Sequence, residues 1–256
     1  MAEETSGHLS VDGIEIATRR VPGQGPGVIW LGGFRSDMTG TKAQALADWA
    51  GERGHEYLRF DYSGHGASGG AFEDGTISRW AKEARAVFDS TDGPQVLVGS
   101  SMGGWIALLL ARALAAEGAK RLAALVLIAP APDFTEALMW ATFPEAVKEE
   151  IMAKGRFERP TQYDGGPYVI TRALIEDGRH NLVLGAPFSV GCPVRILQGA
   201  QDADVPWRHA MHLVTCLAED DVVFSLIKDG DHRLSRPQDI DRLRRVLDML
   251  MNELKG

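Results

Sequence analysis

Cysteine is nearly absent: the 256 residues contain two, Cys192 and Cys216. So few thiols exclude a disulfide scaffold, and their spacing fits no metal-binding motif. They read as inert thiols of a reducing compartment. Long hydrophobic runs are missing too. No stretch reaches the roughly 20 apolar residues that cross a bilayer, so stable membrane insertion is not expected. Positive charge is in deficit, with 27 Lys and Arg against 35 Asp and Glu and a formal charge of −8. That balance excludes nucleic acid or an anionic membrane as the principal partner. It leaves the capture of an acyl chain open, because that is a property of a pocket. The first ten residues are polar and acidic, with neither the apolar core of a secretion signal nor the Arg-rich face of a transit peptide. A cytoplasmic protein is expected.

What is present is a globular composition, 45% hydrophobic and 24% charged, compatible with one well-packed domain over residues 1–256. Strand and helix patterns alternate along it. Residues 8–21 read as a hairpin turning at Asp12-Gly13. Apolar strands follow at 28–31, 57–61, 96–100, 122–128, 194–197 and 222–227, with helices at 41–53, 77–88, 105–116, 207–218 and 238–254 between and after them. Uniformly apolar strands joined by helices imply a mostly parallel, eight-stranded sheet flanked by helices on both faces. The alternation breaks at about 132–191, where scattered prolines and aromatics accompany helical pieces at 144–154 and 168–178. That insertion is expected to be a small helical lid over the carboxyl edge of the sheet, where such folds bind ligands.

Two segments match Gly-x-Ser-x-Gly. In one, the strand Val96-Leu97-Val98 runs into Gly99-Ser100-Ser101-Met102-Gly103 and straight on into an apolar helix. A serine can attack an acyl carbon only if its Oγ stands clear of the backbone on a sharp strand-to-helix turn, and small residues on either side let the two elements approach. In the other, Gly66-Ala67-Ser68-Gly69-Gly70, turn residues precede the serine and loop residues follow it. Context therefore selects Ser101 as the nucleophile and leaves Ser68 as a loop residue.

A serine hydroxyl needs a base oriented by an acid, and on this strand-turn-helix framework they follow in the order acid, then histidine. After the strand at 194–197 comes Gln198-Gly199-Ala200-Gln201-Asp202-Ala203-Asp204-Val205-Pro206. Asp202 is favoured over Asp204, which suits a capping role before the next helix. Of seven histidines only His232 lies on the loop after the last strand. The oxyanion that forms during acyl transfer needs two N–H donors. Met102, next to the nucleophile, should supply one. The loop Gly32-Gly33-Phe34 should supply the other, from Phe34 first and Arg35 second. Trp140, Phe143 and Tyr168, with Phe157 and Tyr163, are candidates to wall an acyl pocket, though packing within the lid explains them equally. Arg156, Arg159 and Arg172 are expected to form a solvated lid surface. No metal or cofactor is called for.

Beyond these motifs, Gly40-Thr41-Lys42, Asp61-Tyr62-Ser63-Gly64, Pro144-Glu145-x-Val147-Lys148, Gly199-x-x-Asp202-x-x-Val205-Pro206-Trp207 and Asp231-His232-Arg233 resemble the α/β-hydrolase fold proteins typified by the mitochondrial palmitoyl-protein thioesterase family. The likeness runs from about Val28 onward and includes the lid. It implies an α/β-hydrolase fold, a triad of Ser101, Asp202 and His232, and hydrolysis of acyl-protein thioesters or of acyl-glucuronide-type esters. The expectation is a serine ester or thioester hydrolase working through an acyl-enzyme, on a small-molecule or acylated-protein substrate. The alternatives are a general carboxylesterase and a non-catalytic ligand-binding protein on the same fold.

Overall fold

Uninterrupted apolar strands specify the centre of the molecule, in a computed structural model that describes residues 3–159 and 168–254. The innermost, β5 (Gln95–Ser100), is buried along its whole length. It lies between β3 (Gln24–Leu31) and β6 (Leu122–Ile128), both parallel to it. Removing three such residues (Val96, Leu97, Val98) from water stabilises the fold by about 1.5–3 kcal/mol each. The parallel arrangement continues through β4 (His55–Phe60) on one side and through β9 (Val194–Gly199) and β10 (Val222–Ile227) on the other. The hairpin of β1 (Thr5–Val11) and β2 (Ile14–Val21) adds an antiparallel edge. The result is the expected eight-stranded sheet, in the order β1-β2-β4-β3-β5-β6-β9-β10.

Helices cover both faces. α1 (Thr41–Arg53) and α7 (Pro237–Glu253) close a core around Trp49, Tyr57 and Leu247. On the other face α2 (Ile77–Asp89) and α3 (Met102–Ala116) enclose Trp80, Phe88 and Trp105. Because the central strands run parallel, their carboxyl ends share one edge. The loops after β3, β4, β5, β9 and β10 all emerge there.

The insertion between β6 and β9 carries a turn of π-helix at Thr135–Met139, α4 (Glu145–Lys154) and α5 (Arg172–His180). It is not wholly helical. Arg156–Arg159 (β7) and Tyr168–Thr171 (β8) form an antiparallel pair, so the helix expected from 168 begins only at Arg172. The run Tyr-Val-Ile-Thr is aromatic and β-branched, which favours a strand. A small core of Phe143, Ile151, Ile170 and Ile175 holds the insertion together. Its two ends are pinned by Asp133, whose carboxylate accepts the Val183 and Leu184 amides at 2.8 and 2.9 Å. α6 (Trp207–Cys216) completes the chain between β9 and β10.

Candidate active site

Ser101 sits between β5 and α3 with φ +54° and ψ −116°, a conformation that costs a non-glycine residue on the order of 1–3 kcal/mol. The surroundings enforce it. The Ser101 amide donates to Ile128 O at 2.9 Å, and Ser101 O accepts from Gly104 and Ala131 at 2.9 and 3.1 Å. The flanking glycines are needed for closeness. A Cβ on Gly99 would lie 2.4 Å from Gly103 O, and one on Gly103 would lie 2.1 Å from Leu31 O.

The loops after β9 and β10 bring Asp202 and His232 to this serine. They touch where a Cβ on Gly199 would meet Gly230 O at 2.4 Å, and Gln201 N–H donates to Gly230 O at 2.9 Å. His232 then stands with Nε2 3.1 Å from Ser101 Oγ and Nδ1 2.8 Å from Asp202 Oδ2. An ionised carboxylate only accepts, so Nδ1 carries the proton and Nε2 is left to accept from the serine hydroxyl. Asp202 is buried and four times bonded. Its Oδ1 accepts the Asp204 and Val205 amides at 2.9 and 2.7 Å, and its Oδ2 accepts Gln198 Nε2 at 3.1 Å as well as His232. Asp204 has an exposed side chain within 4.8 Å of the pair, but its backbone is what Asp202 uses.

The loop after β3 lies against the elbow: a Cβ on Gly33 would be 3.5 Å from Ser101 Cβ. Phe34 follows, half-buried, packed at 5.0 Å on Phe72 and 5.6 Å on Phe134 and also touching the lid's core. The Arg35 amide, the second choice for the oxyanion, is already donated to His65 Nε2 at 3.1 Å. Met102 opens α3, so its N–H belongs to the first helical turn, whose amides lack partners within the helix.

The lid residues are less directly related to Ser101. Phe143 is buried in the lid's own core. Trp140 is half-buried, with Arg179 over its ring at 4.8 Å and Lys148 at 5.7 Å. The backbone of Tyr168 opens β8, but its side chain, like the whole of Tyr163, lies outside the described residues. Arg156 pairs with Glu73 at 2.9 Å and Arg172 with Glu176 at 2.7 Å; the side chain of Arg159 lies outside the described residues.

Three supporting residues escaped sequence reasoning. Gln198 is one, and a polar residue ending an apolar strand was its only signal. His65 is the second. Lys42, in the first turn of α1, is the third: its Nζ donates to Arg233 O, one residue past His232, and to Ser235 Oγ at 3.3 Å. Burial of the ammonium lowers the Lys42 pKa to about 8, against the pull of the nearby Asp231 carboxylate.

Sheet, elbow and site together define a class, and comparison with known proteins agrees: the chain belongs to the alpha/beta hydrolase family, whose model matches residues 22–246. Within it, the chain is closely related to the ABHD10 palmitoyl-protein thioesterases. It is 36% identical to human mitochondrial ABHD10 over 241 residues, 93% of this chain and 77% of that protein. The crystal structure of a putative hydrolase from Agrobacterium vitis S4 is 49% identical, with a TM-score of 0.91, covering 97% of this chain and 98% of its own. Mouse α/β-hydrolase domain-containing protein 10 is 34% identical, with a TM-score of 0.89 over 98% and 99%. The relationship makes the chain a serine hydrolase of the ester- and thioester-cleaving kind. It also corrects the expectation of a cytoplasmic protein. The curated relatives are mitochondrial, and a polar, acidic run of ten residues does not decide a compartment. No helix among the described residues is long and apolar enough to cross a membrane.

Proposed function

We propose that the protein hydrolyses acyl thioesters and related carboxylic esters through an acyl-enzyme on Ser101. The observation that carries this reading is the continuous hydrogen-bond line from Ser101 Oγ through His232 to Asp202, 3.1 and 2.8 Å long, starting at a strained elbow serine. His232 Nε2 takes the hydroxyl proton as Oγ attacks the acyl carbon, and Asp202 stabilises the imidazolium that results. The Phe34 and Met102 amides receive the developing oxyanion. His232 returns the proton to the leaving thiol or alcohol, then activates water to release the acid. The names of the ABHD10 relatives, palmitoyl-protein thioesterases, support a long acyl chain on sulfur as the substrate class.

The test is rapid-mixing kinetics on acyl thioesters and oxyesters of rising chain length. A burst of leaving group equal to one per protein is expected, with long thioesters preferred. Turnover by Ser101→Ala at more than a few per cent of the parent rate would end the reading. Preference for short oxyesters would end the long-thioester assignment alone.

A further inference from the structure

The second Gly-x-Ser-x-Gly segment has no place in the chemistry just described, yet it is bonded to three other parts of the chain. Ser68 Oγ accepts the Ala17 amide at 2.8 Å and donates to Asp61 O, tying the loop to β2 and to the end of β4. Asp61 accepts the Ala67 amide at 2.8 Å on Oδ2 and the Met38 amide at 2.7 Å on Oδ1. Its side chain fits only because residue 66 is glycine, where a Cβ would sit 2.1 Å from Oδ2. The loop thus holds in place a buried histidine. The His65 ring is 4% exposed, enclosed by Phe72 and Trp80 at 5.2 Å each and Tyr62 at 5.9 Å.

Both nitrogens of that ring are used. Ser63 O lies 3.1 Å from Nδ1, and a carbonyl can only accept, so Nδ1 carries the proton. Nε2 is then an acceptor, and it receives the Arg35 N–H at 3.1 Å. Arg35 has φ +55°, so the acceptor secures a backbone conformation that is unfavourable by itself. Burial holds the ring below the ordinary histidine range, with the Arg35 charge acting in the same direction, and both favour the neutral form.

We propose that His65 is a positioning residue for the oxyanion site: by accepting the Arg35 N–H it fixes the Phe34–Arg35 peptide, and through it the direction of the Phe34 N–H. Asp61 grips the same loop three residues further on, at Met38, so His65 and Asp61 anchor the oxyanion loop at two points. The proposal rests on Phe34 serving as a donor to the oxyanion, as in the function proposed above. Its effect falls on the chemical step, since substrate contacts are left in place while a transition-state donor is misaligned.

The test compares His65→Phe, which keeps an aromatic ring and deletes the acceptor, with His65→Gln, which restores an acceptor. For a short-chain acyl ester, His65→Phe should lower kcat by about 10- to 100-fold, part of the ~10²–10³ cost of a lost oxyanion donor. KM should stay within about twofold, and His65→Gln should recover most of the loss. Unchanged kcat in a folded His65→Phe overturns the proposal, as does a loss borne by KM. The ¹⁵N spectrum of the unsubstituted protein gives an answer even where a variant fails to fold. His65 must be neutral with its proton on Nδ1, and a proton on Nε2 overturns the proposal. Failure of the proposed function reads differently: Ser101→Ala would then retain activity while the His65 tautomer stayed as expected.

Discussion

Two loops of this protein share the spelling Gly-x-Ser-x-Gly and place positive φ on opposite residues of it. At the elbow the serine bears the positive φ, +54° at Ser101, while Gly99 and Gly103 serve by lacking a Cβ where β5, α3 and the end of β3 converge. In the second loop the glycines bear it, Gly66 at +45° and Gly70 at +85°, and Ser68 is an ordinary structural hydroxyl bonded on both sides. Strain on the serine lifts its Oγ clear of the backbone toward His232. Glycines adopt positive φ without that cost and let the chain fold over Asp61. The motif alone does not distinguish these outcomes; the elements on either side of it do.

The sharpest way to break this contrast is a pair of serine substitutions. Ser101→Ala should lower kcat by at least ~10⁴-fold, in line with triad nucleophiles elsewhere, with the unfolding temperature little changed. Ser68→Ala should do the reverse, leaving kcat within about threefold and costing about 1–3 kcal/mol by stranding the buried Ala17 amide. Urea unfolding beside steady-state kinetics on both variants checks this.

A second pair sharpens the acid assignment. Asp202→Asn should cost about 10³–10⁴-fold in kcat by disturbing the His232 tautomer, whereas Asp204→Asn, which leaves its backbone bond to Asp202 in place, should stay within about threefold. Equal losses would dissolve the distinction between the two carboxylates.

The smallest effect concerns the mount of the histidine loop. Lys42 faces Asp231, Arg233 and Asp239. With its pKa lowered to about 8 by burial, it is an ammonium below that pH and a weaker, neutral donor to Arg233 O above it. Activity should therefore decline as the pH rises through about 8. In Lys42→Met that alkaline decline should vanish, at a cost of about fivefold near pH 7, the equivalent of roughly one hydrogen bond. A pH–rate profile unchanged by the substitution would show that the loop does not depend on it.

Much of this architecture was legible in the residues themselves. The strands are apolar throughout and the helices carry local stop signals, such as Gly54 in the left-handed conformation closing α1. The order Ser101, Asp202, His232 follows from which loop ends which strand. Two kinds of feature were not legible. The pair β7 and β8 is only four residues a side, too short for a period to declare itself, and its Tyr-Val-Ile-Thr leads without a break into a helix. His65 and Lys42 act through approaches between segments distant in the chain, 30 residues apart for Arg35 and His65 and 191 for Lys42 and Arg233. Their local sequence carries no sign of the partner. The compartment was misread for a related reason: a short terminal composition is weak evidence beside kinship along 93% of the chain.

The central claim is that Ser101, and not Ser68, is the reactive serine. Its most direct test is treatment of the folded protein with a fluorophosphonate, followed by peptide mapping. A single adduct on the peptide bearing Ser101 is expected, retained in Ser68→Ala and abolished in Ser101→Ala. An adduct on the Ser68 peptide, or labelling that survives Ser101→Ala, would contradict it.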